Sequence, residues 1–73
     1  MIEYYFNLQL SYNECMDYYT GRYRSIQVLE DSGKTIRFAA SNLRPFISSL
    51  GIRGRFRILL TRENKFIRIE KVA

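Results

Sequence analysis

Apolar and polar residues alternate from Ile2 to Leu10: Tyr4, Phe6, Leu8 and Leu10 fall on one face, Tyr5, Asn7 and Gln9 on the other. A period of two with aromatic enrichment predicts a half-buried strand. At Ser11 the period changes. Ser11-Tyr12-Asn13-Glu14 has the Ser-x-x-Glu form of a capping box, in which the hydroxyl accepts from the N3 amide and the glutamate reaches back to the serine amide. Tyr12, Cys15, Met16 and Tyr19 then recur at helical spacing, and Gly21 stands where a left-handed residue closes a helix. The pattern predicts a helix from about Tyr12 to Thr20, with Cys15 and Tyr19 on its apolar stripe.

Alternation resumes from Arg24 to Glu30, with Ile26 and Val28 on one side, and again from Lys34 to Phe38, with Ile36 and Phe38. Glu30-Asp31-Ser32-Gly33 between them is turn chemistry, so the two segments read as a hairpin. Asn42 is a good N-cap, and Leu43, Phe46, Ile47 and Leu50 follow at helical spacing, with Gly51 as the closing residue. Pro45 disfavours the helical region at Arg44, which restricts this second helix to a single turn or a 3₁₀ segment. Gly51-Ile52-Arg53-Gly54 reads as a bend. From there Arg53, Arg55 and Arg57 point one way while Phe56, Ile58 and Leu60 point the other. After a turn over Thr61 to Lys65, a closing strand runs from Phe66 to Val72, with Ile67 and Ile69 expected inward and Arg68 and Glu70 outward. The order β-α-β-β-α-β-β in 73 residues predicts one small α+β domain. Its five strands form a mainly antiparallel sheet or a small open barrel, and the pattern does not choose between the two.

Composition narrows the chemistry. A single cysteine and no histidine leave no internal disulfide and no Cys/His metal site, so neither cofactor nor metal is expected. The absence of histidine also removes the usual general base near neutral pH. The closest acidic pairs, Glu14 with Asp17 and Glu30 with Asp31, sit in a helix first turn and a hairpin turn. Gly51 and Gly54 mimic part of a phosphate loop but lead into a strand, whereas such a loop leads into a helix. No catalytic residue is expected, and Cys15 reads as a small buried hydrophobe. The N-terminus lacks the form of a signal peptide, and no apolar run approaches the ~20 residues a bilayer requires. A cytoplasmic, non-enzymatic protein without a membrane partner is the expectation.

Charge supplies the one functional pointer. The chain carries +5 overall, but residues 1–36 hold −2 and residues 37–73 hold +7. Nine of the twelve basic residues are arginine, whose planar fork suits phosphates better than simple solubilisation requires. Arg53, Arg55 and Arg57 recur at period two, about 7 Å apart on one strand face, near the phosphate spacing of a nucleic-acid backbone. They are the candidate nucleic-acid-binding residues, with Arg44 and Arg68 as outer members, and RNA or DNA is the corresponding partner. A plainer alternative is a solvated strand face that keeps the sheet soluble and guards its edge. A different function class is also open: a protein interaction module, or a homodimer, built on an exposed sheet edge. The tyrosines Tyr18, Tyr19 and Tyr23 read either as stacking platforms for bases or as packing with the hydroxyl at the rim.

Several of these pieces occur together elsewhere. Tyr18-Tyr19 with Gly21, Gly33 with Ile36 and Phe38, Asn42-Leu43-Arg44-Pro45-Phe46, and Gly51-Ile52-Arg53-Gly54-Arg55-Phe56 resemble the domain of unknown function 2835 family of small bacterial proteins. The likeness spans nearly the whole chain and implies a small bacterial cytoplasmic protein. It implies no activity, ligand or site residue.

Overall fold

A computed structural model describes all 73 residues. Strand β1 (Ile2–Leu10) leads into helix α1 (Tyr12–Tyr19), followed by β2 (Ser25–Leu29) and β3 (Thr35–Ala39). A 3₁₀ segment (Ala40–Phe46) then precedes β4 (Ile52–Leu60) and β5 (Phe66–Lys71). The α+β class and the element order agree with the sequence pattern. The five strands, however, form two antiparallel sheets, β1-β4-β5 and the hairpin β2-β3, in place of one five-stranded sheet.

Local chemistry explains most of the boundaries. The capping box forms: Glu14 N donates to Ser11 Oγ at 3.1 Å, and Ser11 N to Glu14 Oε1 at 2.9 Å. Those hydrogen bonds to Ser11 hold the Glu14 carboxyl below its ordinary pKa. The hairpin turn is organised by Glu30, a buried carboxylate that accepts from Ser32 N at 3.0 Å, Lys34 N at 2.8 Å and the Ser32 hydroxyl. Three donors in so short a turn satisfy the buried charge and fix the turn's shape.

The core is an aromatic run that sews the two sheets together. All five phenylalanines take part: Phe46 meets Phe56 edge-on at 5.3 Å, Phe56 stacks on Phe6 at 5.8 Å, Phe6 meets Phe38 at 6.1 Å, and Phe38 stacks on Phe66 at 6.2 Å. Ile26, Val28, Ile36, Ile52, Ile58 and Cys15 fill the space around it. No tyrosine is fully buried: Tyr4 and Tyr18 pack partly against the core, and Tyr12, Tyr19 and Tyr23 are exposed.

Six local expectations give way to tertiary geometry. On α1 the core-facing residues are Cys15 and, partly, Tyr18; Tyr12 and Tyr19 are about half exposed. Eight residues make only two turns, and the helix touches the rest of the fold along a narrower stripe than the period suggests. The second helix is the expected 3₁₀ segment, but Asn42 lies inside it and bonds back to the Ala39 carbonyl, so it does not act as N-cap. Leu50 is therefore off the apolar stripe and stands almost fully exposed. Gly51 does not close this helix; it pairs with Ser48 in a tight turn whose backbone presses on the β1–α1 junction. The expected bend at Gly54 is absent, because β4 runs straight through it. Finally, Ile67 points outward. A bulge shifts the β4–β5 register so that Leu60 pairs with Phe66 and Leu59 with Arg68, leaving Ile67 extra. One extra residue reverses the alternation, and Phe66 takes the inward place beside Ile69.

Candidate nucleic-acid interface

The outer face of the three-stranded sheet is set by register. Across β1 and β4, Gln9 pairs with Arg53, Asn7 with Arg55, Tyr5 with Arg57 and Glu3 with Leu59. Across β4 and β5, Arg57 pairs with Glu70 and Leu59 with Arg68. Arg53, Arg55, Arg57 and Arg68 therefore do share one face, and Tyr5, Asn7 and Gln9 complete it.

That face is not uniformly basic. Arg57 is clamped from both sides: its Nε and Nη2 donate to Glu70 Oε1 at 3.0 and 2.6 Å, and its Nη1 lies 3.5 Å from Glu3 Oε2. Arg55 reaches across β1 to the carboxylate of Asp31 in the hairpin turn, donates to Asn7 Oδ1 at 3.4 Å, and covers the Tyr5 ring at 5.4 Å. The hydrogen bonds to Asp31 and to Glu70 raise the pKa of Arg55 and Arg57 respectively, so both stay cationic at every ordinary pH. Arg68 lies 3.8 Å from Glu70. Three of the four arginines thus share three carboxylates.

Arg53 differs. It is exposed, and its side chain makes no hydrogen bond or ion pair. It borders a cavity of about 630 Å³ that Gln9, Ser48 and Lys71 also line, and a shallower one of about 430 Å³ beside Asn7 and Gly54. Lys71 likewise has no carboxylate partner. An added Cβ at Gly54 would stand 2.7 Å from the Lys71 side chain, so the missing side chain there lets Lys71 lie across β4. Glu14, on the rim of the larger cavity, is occupied by the capping box. Positive charge is consequently compensated at the Leu59–Arg68 end of the face and uncompensated at the Arg53 end, while Lys71, opposite Phe56, extends from the other face of the sheet.

Arg44 does not join this face. Its guanidinium lies over the Tyr19 ring at 5.2 Å, and Nη2 donates to the Tyr19 carbonyl at 3.4 Å, on the last turn of α1. Tyr19 and Tyr23 are accordingly at the surface, while Tyr18 packs partly into the core. Cys15 is buried, and that burial raises its thiol pKa, as expected of a packing residue. Sequence reading missed Asp31, Glu3 and Glu70 as partners of the arginines, and Lys71 as a neighbour of Arg53. Only the Arg57–Glu70 pair carried a signal: two outward, opposite charges on strands joined by a short turn.

No helix is long and apolar enough to cross a membrane, and no group of three or more Cys, Asp or Glu could hold a metal ion. No curated protein and no solved structure matches the chain. A family model described as "Protein of unknown function (DUF2835)" matches residues 2–72.

Proposed function

The chain belongs to the DUF2835 family, whose description names no activity, and from its side chains we propose a non-enzymatic domain that binds single-stranded nucleic acid along the Arg53 end of its sheet. The supporting observation is the unpartnered Arg53 guanidinium beside Gln9 and Asn7 on the sheet face, at a cavity that Lys71 lines from the opposite face and whose one acid, Glu14, is engaged by the capping box. Arg53 and Lys71 hold phosphates, since neither gives up a protein partner to do so. Arg55 extends the track by exchanging Asp31 for a phosphate; an exposed ion pair gains little over water, so the exchange is nearly neutral. Asn7 and Gln9 offer amide groups to base edges, and a strand laid on a flat sheet leaves its bases free to stack.

The test is fluorescence anisotropy with labelled single-stranded RNA, single-stranded DNA and duplex DNA at two salt concentrations. Contacts from Arg53, Arg55 and Lys71 give a log–log salt slope of about −2 for a single strand. Arg53→Glu abolishes binding, whereas Arg68→Gln, at the compensated end, leaves it nearly unchanged. No saturable binding at low salt, or equal loss in both variants, removes the reading.

A second reading rests on β5, whose outer edge is unpaired and carries exposed Ile67. Strand addition there would make a dimer insensitive to moderate salt, which light scattering detects. The β5 bulge weighs against it, because a bulge twists an edge out of register with an incoming strand.

A further inference from the structure

A second cluster of aromatic and cationic side chains lies where α1 ends, away from the sheet face. The loop after α1 is tied back to it: Gly21 N donates to the Tyr18 carbonyl and Tyr23 N to the Asp17 carbonyl, each at 3.2 Å. The start of β2 is tied to the 3₁₀ segment by Ala40 N, which donates to the Arg24 carbonyl at 2.9 Å. These backbone bonds bring four side chains from three elements around one cavity of about 370 Å³: Tyr18, Tyr23, Arg24 and Arg44. Gly21 and Ser41 complete the lining that matters. An added Cβ at Gly21 would meet nothing within 4 Å, so the glycine leaves that side open.

The chemistry of the lining is specific. The Tyr18 and Tyr23 rings stand 5.7 Å apart and tilted by 55°, and Tyr23 is half exposed. Arg24 is exposed, and its side chain has no hydrogen-bonding or ionic partner. Arg44 spends one donor on the Tyr19 carbonyl and lies over the Tyr19 ring, leaving the rest of its five N–H groups for another acceptor. No carboxylate lines the cavity, and the acid of the adjoining helix turn, Asp17, is engaged by Arg22 at 3.9 Å. Two unneutralised guanidinium groups beside a tyrosine pair want an anion joined to a flat ring. The volume lies within the range of about 300–1,000 Å³ common to small-molecule sites.

The geometry points to a binding site for a nucleobase carrying a 5′-phosphate, with the base against Tyr18 and Tyr23 and the phosphate on Arg24 and Arg44. A guanidinium pair matches phosphate oxygens bidentately, and tyrosine faces accept any base. The Ser41 hydroxyl, which has no protein partner, adds a further donor to the phosphate. The same chemistry fits a free mononucleotide and the phosphorylated 5′ end of a strand. The site is independent of the sheet face: none of its residues lies on β1, β4 or β5.

Amide-resolved NMR titration of the whole chain distinguishes the outcomes. Adenosine 5′-monophosphate is expected to shift the amides of Gly21, Tyr23, Arg24 and Ser41 saturably, while adenosine and inorganic phosphate bind at least about tenfold more weakly. Arg24→Gln, which removes no protein contact, weakens binding about tenfold or more with an unchanged melting temperature. Tyr23→Leu weakens adenosine 5′-monophosphate more than inorganic phosphate. Comparison of the mononucleotide with 5′-phosphorylated and 5′-hydroxyl oligonucleotides assigns the source: preference for the phosphorylated strand marks strand ends, preference for the mononucleotide marks a free ligand. Shifts absent from these amides into the millimolar range, or binding unaltered by Arg24→Gln, overturn the proposal.

Discussion

Gly51 and Gly33 form an internal experiment. Both have φ of +96°, a conformation that side chains other than glycine rarely adopt. Around Gly33 nothing lies within 4 Å of an added Cβ, whereas at Gly51 that atom would stand 2.1 Å from the Leu10 carbonyl oxygen and 2.9 Å from Tyr12 N. Gly33→Ala therefore meets only the backbone cost, about 1–2 kcal/mol. Gly51→Ala meets the same cost and must also push the Leu10–Tyr12 backbone away by more than an ångström. Overpacking of that kind adds about 1–3 kcal/mol, and here the neighbour is main chain at the junction that carries the capping box, not a side chain able to turn aside. Total stability for a chain of this length is about 4–11 kcal/mol, so the second variant approaches the limit of folding. Thermal unfolding followed by circular dichroism, with urea titration at 25 °C, reads both. At about 4–8 °C per kcal/mol, Gly33→Ala melts about 5–15 °C lower, and Gly51→Ala falls at least about twice as far. Equal losses in the two variants would refute the reasoning, since they would mean that the junction yields freely and that only φ matters.

Two further predictions test the β5 bulge and the hairpin turn. Ile67→Lys changes stability by no more than about 0.5 kcal/mol, because the bulge sets Ile67 in solvent, while Ile69→Ala, facing the core, costs about 2 kcal/mol; urea denaturation separates them, and the reverse ranking would mean that the strand pairs without a bulge. The Ser32 hydroxyl, followed by the Ser32 and Lys34 amides, holds the Glu30 carboxyl below its ordinary pKa of 4.5; a group depressed on folding stabilises fully above its unfolded pKa and loses that contribution as pH falls through the folded value. The stability gap between wild type and Glu30→Gln should thus be constant above pH 4.5 and close below it, and a gap unchanged in acid would remove Glu30 from its role in the turn.

Much of this protein was written locally. Period-two alternation placed β1, the β2–β3 hairpin and the two faces of β4, because a strand's side chains alternate wherever one face is buried. Ser11 and Glu14 started α1 by bonds that span only three residues, and Pro45 limited the second helix to a 3₁₀ segment for reasons of its own ring. The arginine ladder of Arg53, Arg55 and Arg57 was equally legible, and so was its direction away from the phenylalanines.

Tertiary structure decided what those faces meet. Alternation says that a strand has two faces but not which strand lies beside it. The pairing of β1 with β4, with Ile2 opposite Leu60, closes nearly the whole chain and splits the hairpin off as a second sheet. That register, together with β5 and the hairpin turn, brings Glu3, Glu70 and Asp31 to Arg57 and Arg55, leaves Arg53 uncompensated, and sends Arg44 to the end of α1. A single extra residue in β5 turned Ile67 outward against its own pattern, and the nearness of the Leu10 carbonyl gave Gly51 a purpose that no helix-ending rule contains. Each of these depends on contacts between residues far apart in sequence, and local propensity carries no information about such contacts.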